Sequence, residues 1–239
     1  QRLLEQLRRV VDVFVEKKDL LKPDIAADEF MWFIEAETRI SVLASRLHAK
    51  AELRFVEDIT DGGLRKEVQM RDMLLTDLNN RLIFFSDFFK HLDEANAQRL
   101  IAESGKYRYF LQSLRRSLPH TRSLEVEQVI NIKDVSGVNA LETIRHAVVG
   151  KQTYPFKGEN LSDPQITEKK RSPDPEERIQ AYESHLKVYA DNQDVLAEVY
   201  KNSCLDWLNE ATKIRNHESS IAMRNFANTV DDAVVDMVF

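Results

Sequence analysis

The chain has 239 residues, 43 % hydrophobic and 31 % charged, with 34 basic against 40 acidic residues and a net charge of -6. That length supports one large or two modest domains with a real core, while the acidic balance disfavours nucleic acid and anionic lipid as partners. A single cysteine, Cys204, excludes an internal disulfide and suits a reducing compartment.

Six Gly and six Pro are few for a strand-rich fold of this size, so helix is favoured throughout. Neither a bilayer-spanning apolar run nor a signal-peptide pattern is present, and a cytoplasmic location with no membrane partner is expected. Gln1 opens inside a helical pattern.

Leu3, Leu4, Leu7, Val10, Val11, Phe14 and Val15 recur at three- and four-residue spacing and predict a first helix, ended by Pro23. A second, from about Asp24 to Asp58, carries Phe30, Phe33, Ile34, Ile40, Leu43, Ala44 and Leu47, and would be roughly 50 Å long. Thr60-Asp61-Gly62-Gly63 reads as a turn. A third helix is expected from about Leu64 to His91, with Leu74, Leu75, Leu78, Leu82, Phe85 and Phe89 buried; Phe84, Phe85, Phe88 and Phe89 fill a bundle core rather than a ligand pocket. A fourth runs from about Glu94 to Leu118 on Leu100, Ile101, Tyr107, Phe110, Leu111 and Leu114, with Gly105 as its interruption. Short connections between long helices describe an antiparallel bundle over residues 1–118.

Pro119 stops the fourth helix, and residues 119–239 form the second helical region. Ser123 is the expected N-cap of a helix to about 133, and Ser136 or Asp134 that of a helix to about 149 with Ile144, Ala147 and Val148 inward. Around Lys157-Gly158 the stretch 152–166 predicts one small β-hairpin, with Pro155 confining it to an edge. Ser172-Pro173-Asp174-Pro175-Glu176-Glu177-Arg178 is a strong helix start, and no breaker follows before Ile214, which predicts one very long helix. His217 to Ser220 is a turn, followed by two short helices, the second opened at Thr229 in capping-box fashion. Val234, Val235, Val238 and Phe239 keep helical spacing with no capping residue, so the region reads as truncated at its C-terminal end. The expected class is therefore all-α: an antiparallel bundle, then further helices with at most one hairpin.

Candidate chemistry is sparse. No two of the six histidines lie within four residues of each other; His217-Glu218 begins a zinc-peptidase motif, but Ile221 stands where the second imidazole belongs. Cys204 reads as a small buried residue rather than a nucleophile. Basic clusters Arg115-Arg116 and Lys169-Lys170-Arg171 read as solvated faces or loops. The paired carboxylates Glu35 and Glu37, Glu176 and Glu177, and Asp231 and Asp232 read as solvated faces or helix-dipole partners. No catalytic, substrate-binding or metal-ligating residue is assigned.

Against this background, Tyr109-Phe110-Leu111-Gln112-Ser113-Leu114-Arg115-Arg116-Ser117-Leu118-Pro119-His120-Thr121-Arg122-Ser123 resembles the helix and P-H-x-L-S segment of oligoendopeptidase F and its relatives in the thimet oligopeptidase group, with Thr121-Arg122 departing from the leucine usual there. Lys170-Arg171-Ser172-Pro173-Asp174 is similar to the R-S-P-D helix start of that family, followed by Arg178, Ala181 and Tyr182. Asp206-Trp207, Glu210-Ala211, Met223-Arg224-Asn225-Phe226-Ala227-Asn228, Asp232 and Val234-Val235 continue the resemblance in order. It implies the N-terminal part of a cytosolic zinc peptidase that cleaves short peptides, with a downstream HExxH helix and glutamate holding zinc. No cofactor is expected in this chain, zinc is expected in the parent, and the missing catalytic domain and short peptides are the implied partners. The resemblance also implies that the helical part forms one wall of a deep substrate channel admitting flexible oligopeptides, and Arg224 and Asn225 are assigned to packing or capping rather than to that channel. The competing expectation is a non-enzymatic helical scaffold or interaction module. On the first reading, apolar surface is exposed near residues 234–239 and along part of the long helix.

Overall fold

The computed structural model describes residues 2–58 and 61–238. Among them α1 (Arg2–Glu16) buries Leu7, Val11 and Phe14, one apolar side chain per turn. It stops at Glu16, well before Pro23, because the chain tightens into a 3₁₀ turn at Lys18–Leu20. That turn places the Lys17 and Lys18 ammoniums 5.1 and 5.2 Å from the rings of Trp32 and Phe84. Next, α2 (Ala27–Glu57) is the spine of the bundle, burying Phe30, Phe33, Ile34, Ile40, Leu43 and Leu47 against α1 and the following helix.

Gly62 and Gly63 do not form the expected turn. They are the first residues of α3 (Gly62–Leu82), because Asp61 Oδ1 accepts from the Gly63 and Leu64 amides and caps the helix. Thr60, the first residue of that expected turn, lies outside the described residues, as do Gln1 and Phe239. The third helix is interrupted at Ile83 and resumes as α4 (Phe84–His91), although Ile83 N–H still donates to Asn79 O and Asp87 N–H to Ile83 O. Phe85 and Phe89 are fully buried, and Phe14, Phe30, Phe33, Phe84 and Phe85 pack with centroids 5.2 to 5.8 Å apart. These rings are core, as expected.

Gly105 does break the fourth helix. With φ 53° it separates α5 (Glu94–Glu103) from α6 (Arg108–Arg116), where Leu111 is buried but Phe110 points outward. Arg115 is no solvated cation: Nη1 donates to the carbonyls of Lys90 and Leu92 at 2.7 and 2.6 Å, capping the end of α4. One continuous apolar core draws on residues from Leu7 to Leu111.

Beyond a 3₁₀ turn at Leu118–His120 come α7 (Leu124–Ser136) and α8 (Val138–Val149). Ser123 occupies the N-cap position of α7 without a side-chain cap bond. Neither Ser136 nor Asp134 caps α8; the cap position is Gly137, where an added Cβ would lie 2.8 Å from Lys133 O, so the close helix-to-helix turn needs a glycine. Ile144 is exposed rather than inward. Asn80 and Gln128 exchange side-chain-to-backbone hydrogen bonds at 3.3 and 3.0 Å, and Asn131 donates to Asn80 Oδ1 at 2.7 Å, fastening α7 to α3.

The hairpin pairs β1 (Tyr154–Phe156) with β2 (Glu159–Leu161) around Lys157 and Gly158, both at positive φ, the two-residue turn that matches strand twist. Residues 163–166 fall instead in α9 (Asp163–Lys169). Tyr154, Phe156 and Leu161 with Ile166 and Ala181 make a second, smaller core.

The long helical run is interrupted twice. Asn192, at φ -114° and ψ 13°, separates α10 (Pro175–Asp191) from α11 (Gln193–Asn209), its amide donating to Val188 O in competition with the backbone ladder. Residues Glu210–Ile214 then widen into a π turn, in which Arg215 N–H reaches Glu210 O and His217 N–H reaches Ala211 O. Finally α12 (Ser220–Ala227) and α13 (Asp232–Asp236) follow, the latter capped by Asp231 rather than Thr229. Ile179, Tyr182, Leu186, Tyr200 and Leu205 on the long run, and Val234, Met237 and Val238 at the end, expose apolar surface. No helix among the described residues is long and apolar enough to cross a membrane.

Candidate functional site

A cavity of about 720 Å³ opens where α1 to α4 meet the 3₁₀ turn at Leu118–His120, α7, the π turn and α12. Its lining mixes apolar side chains, such as Leu7, Ile40, Leu78, Leu82 and Phe226, with polar ones, such as Glu37, Asn79, Lys90, His120 and Glu127. The π turn brings in part of the polar lining. Widening the helix at residues 210–214 swings Arg215 and His217 back toward the Pro119-His120 turn, nearly a hundred residues earlier in the sequence.

There the His120 and His217 rings stack with centroids 3.6 Å apart and planes 7° from parallel, flanked by Phe226 at 5.3 and 5.7 Å. His120 Nδ1 lies 2.8 Å from Arg215 O. A carbonyl only accepts, so Nδ1 carries the proton and Nε2 is the acceptor of the neutral ring. Burial, reinforced by His120 and Arg215, holds His217 below the usual histidine range.

Arg215 bridges two carboxylates: Nη1 donates to Glu127 Oε1 at 2.5 Å and Nε to Glu210 Oε1 at 3.0 Å. Glu127 is only 8 % exposed and also accepts from the Arg122 amide at 2.7 Å. A buried pair of this kind fixes position more than it adds net stability, and removing one partner costs about 3–5 kcal/mol because the other charge is stranded. Lys90 donates to Thr121 Oγ1 at 3.0 Å; burial lowers its pKa, opposed by the charges of Glu127 and Asp87.

Glu37, on α2, also lines this cavity. It is half-buried, no hydrogen bond or ion pair among the described residues holds its carboxylate, and burial pushes its pKa up to about 7. Its reading as a solvated-face carboxylate is therefore corrected, since an apolar surround sets its chemistry. Glu35 is exposed.

The remaining sequence candidates disperse. Cys204 is exposed rather than buried. Glu177 pairs with Lys157 and accepts from Ser172 Oγ at 2.7 Å. Asp231 caps α13, and Asp232 accepts from Asn225 Nδ2 at 2.7 Å. Asn225 is buried and the Arg224 guanidinium lies 4.9 Å from the Trp207 ring centroid, so both serve packing. Ile221 is exposed and offers no ligand, and among the described residues no three of His, Cys, Asp and Glu converge to hold a metal ion. The stacked histidines and the Glu127–Arg215 bridge had no local sequence signal, because each joins segments roughly ninety residues apart.

Residues 89–151 match the peptidase M3 N-terminal family model described as Oligopeptidase F. That stretch is similar to the N-terminal part of the oligopeptidase F family. Within that stretch lie Lys90, Ser117, His120, Thr121, Glu127 and Asn131 of the cavity's polar lining. The crystal structure of oligoendopeptidase-F from Enterococcus faecium has the same fold, with a TM-score of 0.80 and 17 % identity over 99 % of this chain and 48 % of that one. The chain thus spans about half the length of that solved oligoendopeptidase. No curated protein matches it. The matched residues end just beyond α8; α1 to α3, the π turn and α12, which also bound the cavity, lie outside them.

Proposed function

We propose that this chain is the N-terminal helical part of a zinc-dependent oligopeptidase that hydrolyses short, unstructured peptides in the cytoplasm. Residues 1–118 and 119–239 are its two helical regions, and together they wall the substrate channel while zinc is held by a further catalytic region of the polypeptide. The observation that carries this reading is the coincidence of an oligopeptidase F match over residues 89–151 with an oligoendopeptidase-F fold over nearly the whole chain. When bound, zinc would supply Lewis-acid activation of the attacking water. The contribution of the present residues is shape, the bundle and the second core forming a rigid support. The exposed apolar side chains Tyr182, Leu186, Tyr200 and Leu205, lying on one helical run, suit a face covered by that further region.

The test has two arms. Reading the gene beyond Phe239 is expected to find H-E-x-x-H within a couple of hundred codons; a continuation without paired imidazole ligands removes the basis of the assignment. Incubated alone, the 239-residue chain is expected to retain no stoichiometric zinc after gel filtration and to leave a quenched fluorescent oligopeptide intact. One zinc per chain with EDTA-sensitive cleavage would place the active site here instead.

A further inference from the structure

Helix α12 lies between two residues in left-handed backbone. Before it Asn216 has φ 57°, and after it Thr229 has φ 55°, a conformation that a β-branched residue rarely adopts. Its body is lightly packed, with Asn225 as its one buried residue. On one side it rests on α11, where Trp207 Nε1 donates to Ser220 O at 3.0 Å and the Arg224 guanidinium lies 4.9 Å from the Trp207 ring centroid. On the other it meets the Pro119-His120 turn through a stack of rings, His120 and His217 with centroids 3.6 Å apart and Phe226 against both. A segment with few buried contacts, set between two strained residues, opens readily unless something clasps it.

The strength of that stack depends on charge. Two neutral rings attract, and one imidazolium over a neutral ring still does, because a cation is drawn to a π face. Two imidazoliums 3.6 Å apart repel, and the groups around them do little to offset this. Arg215 adds positive charge from the π turn, and Glu127 of α7 and Glu210 are committed to it. Asp232 of α13 favours a charged His217 but already accepts from Asn225 Nδ2 at 2.7 Å. From α4, Lys90 adds positive charge to the same cavity, while Asp87 Oδ1 lies 3.3 Å from His91 Nδ1. Glu37 of α2, with its pKa of about 7, is neutral in acid. Arg224 faces Trp207, and Glu218 is exposed. A proton added to His120 goes to Nε2 and leaves the Nδ1–H bond to Arg215 O intact, so His120 stays and His217 is the ring that moves.

We propose that His120 and His217 form an acid-released clasp: near neutral pH their stack holds α12 on the Pro119-His120 turn, and when both rings are charged α12 swings away about Asn216 and Thr229. Met223, Phe226 and Ala227 of α12 line the cavity, so release opens that wall. Burial, reinforced by His120 and Arg215, already disfavours a proton on His217 in the closed form. The open form, with its rings apart and in water, binds protons more readily, so opening rises as pH falls below about 6.5. The clasp needs neither zinc nor substrate, and its test is therefore independent of the peptidase reading.

Amide hydrogen exchange of the 239-residue chain at pH 7.5 and pH 5, corrected for the intrinsic pH dependence of exchange, tests this. Protection within α12 is expected to fall about tenfold or more on acidification, with a smaller change within α2. His217→Phe keeps a ring that cannot take up a proton, and its α12 is expected to be equally protected at both pH values. Constant α12 protection in the parent, a loss as large in α2, or the same loss in His217→Phe would each overturn the proposal. A second readout needs no variant, so a misfolded one does not blur the outcome. In the parent, the Cε1–H proton resonances of His120 and His217 are expected to move in coupled, two-step curves between pH 5 and pH 8, whereas independent one-step curves would sink the clasp on their own.

Discussion

Glu37→Gln isolates the cost of placing a carboxylate on an apolar wall. The folded-state pKa of about 7 against an ordinary 4.5 means that the native protein resists ionising this group. Between those pH values the native state binds more protons than the unfolded chain, so stability falls as pH rises from about 4.5 to 7 and is flat above. Linkage converts the full displacement to about 3 kcal/mol, and partial contact with water reduces this to roughly 2–3 kcal/mol. Glutamine keeps the size and loses the charge. Urea unfolding followed by circular dichroism at pH 5 and pH 8 is therefore expected to show variant and parent alike at pH 5, with the variant more stable by roughly 2–3 kcal/mol at pH 8. Since all other titrating groups are common to both proteins, the difference of differences belongs to Glu37. An unchanged gap between the two pH values would refute the argument that the side chain is desolvated.

Other substitutions probe separate parts of the fold. Phe85→Ala removes a fully buried ring at the centre of the aromatic cluster and is expected to cost about 3–5 kcal/mol in the same unfolding assay. Arg115→Met keeps the stem but strips the cap from α4, leaving the Lys90 and Leu92 carbonyls without that donor; a loss of about 1.5–3 kcal/mol is expected, measurable as a lower Tm. Gly137→Ala drives a methyl against Lys133 O and should destabilise by roughly 1–3 kcal/mol, whereas Gly62→Ala, where nothing approaches, should not. His217→Gln removes a base held below its ordinary range. The unfolded chain protonates it first as pH falls below about 6.5, so the parent is expected to lose stability there and the variant to lose less, as read from Tm at pH 5 and pH 7.5.

The bundle was legible because its periodicity is local: Phe30, Phe33, Ile34 and Ile40 repeat on one helical face, and burial follows from that alone. Interruptions were legible where backbone chemistry demands them, as at Gly105 and at Lys157-Gly158. They were missed where a side chain competes with the helix ladder, since nothing in the composition near Asn192 separates a helical asparagine from one that bonds Val188 O. Gly62 and Gly63 misled for the opposite reason: a strong aspartate cap overrode the flexibility of the pair. Of the site, His217 was noticed for its Glu218 neighbour, yet its role depends on His120, which only the π turn brings near. Arg115 was set aside as a surface cation because its acceptors belong to a different helix.

The reciprocal amide contacts between Asn80, Gln128 and Asn131 hold α3 against α7 with groups that neither ionise nor attract counter-ions at ordinary pH. Proton uptake or added salt alters Glu37, Lys90 and His217 but leaves this uncharged latch untouched. The seating of α3 on α7 therefore does not depend on the protonation of the titratable groups that line the cavity beside it.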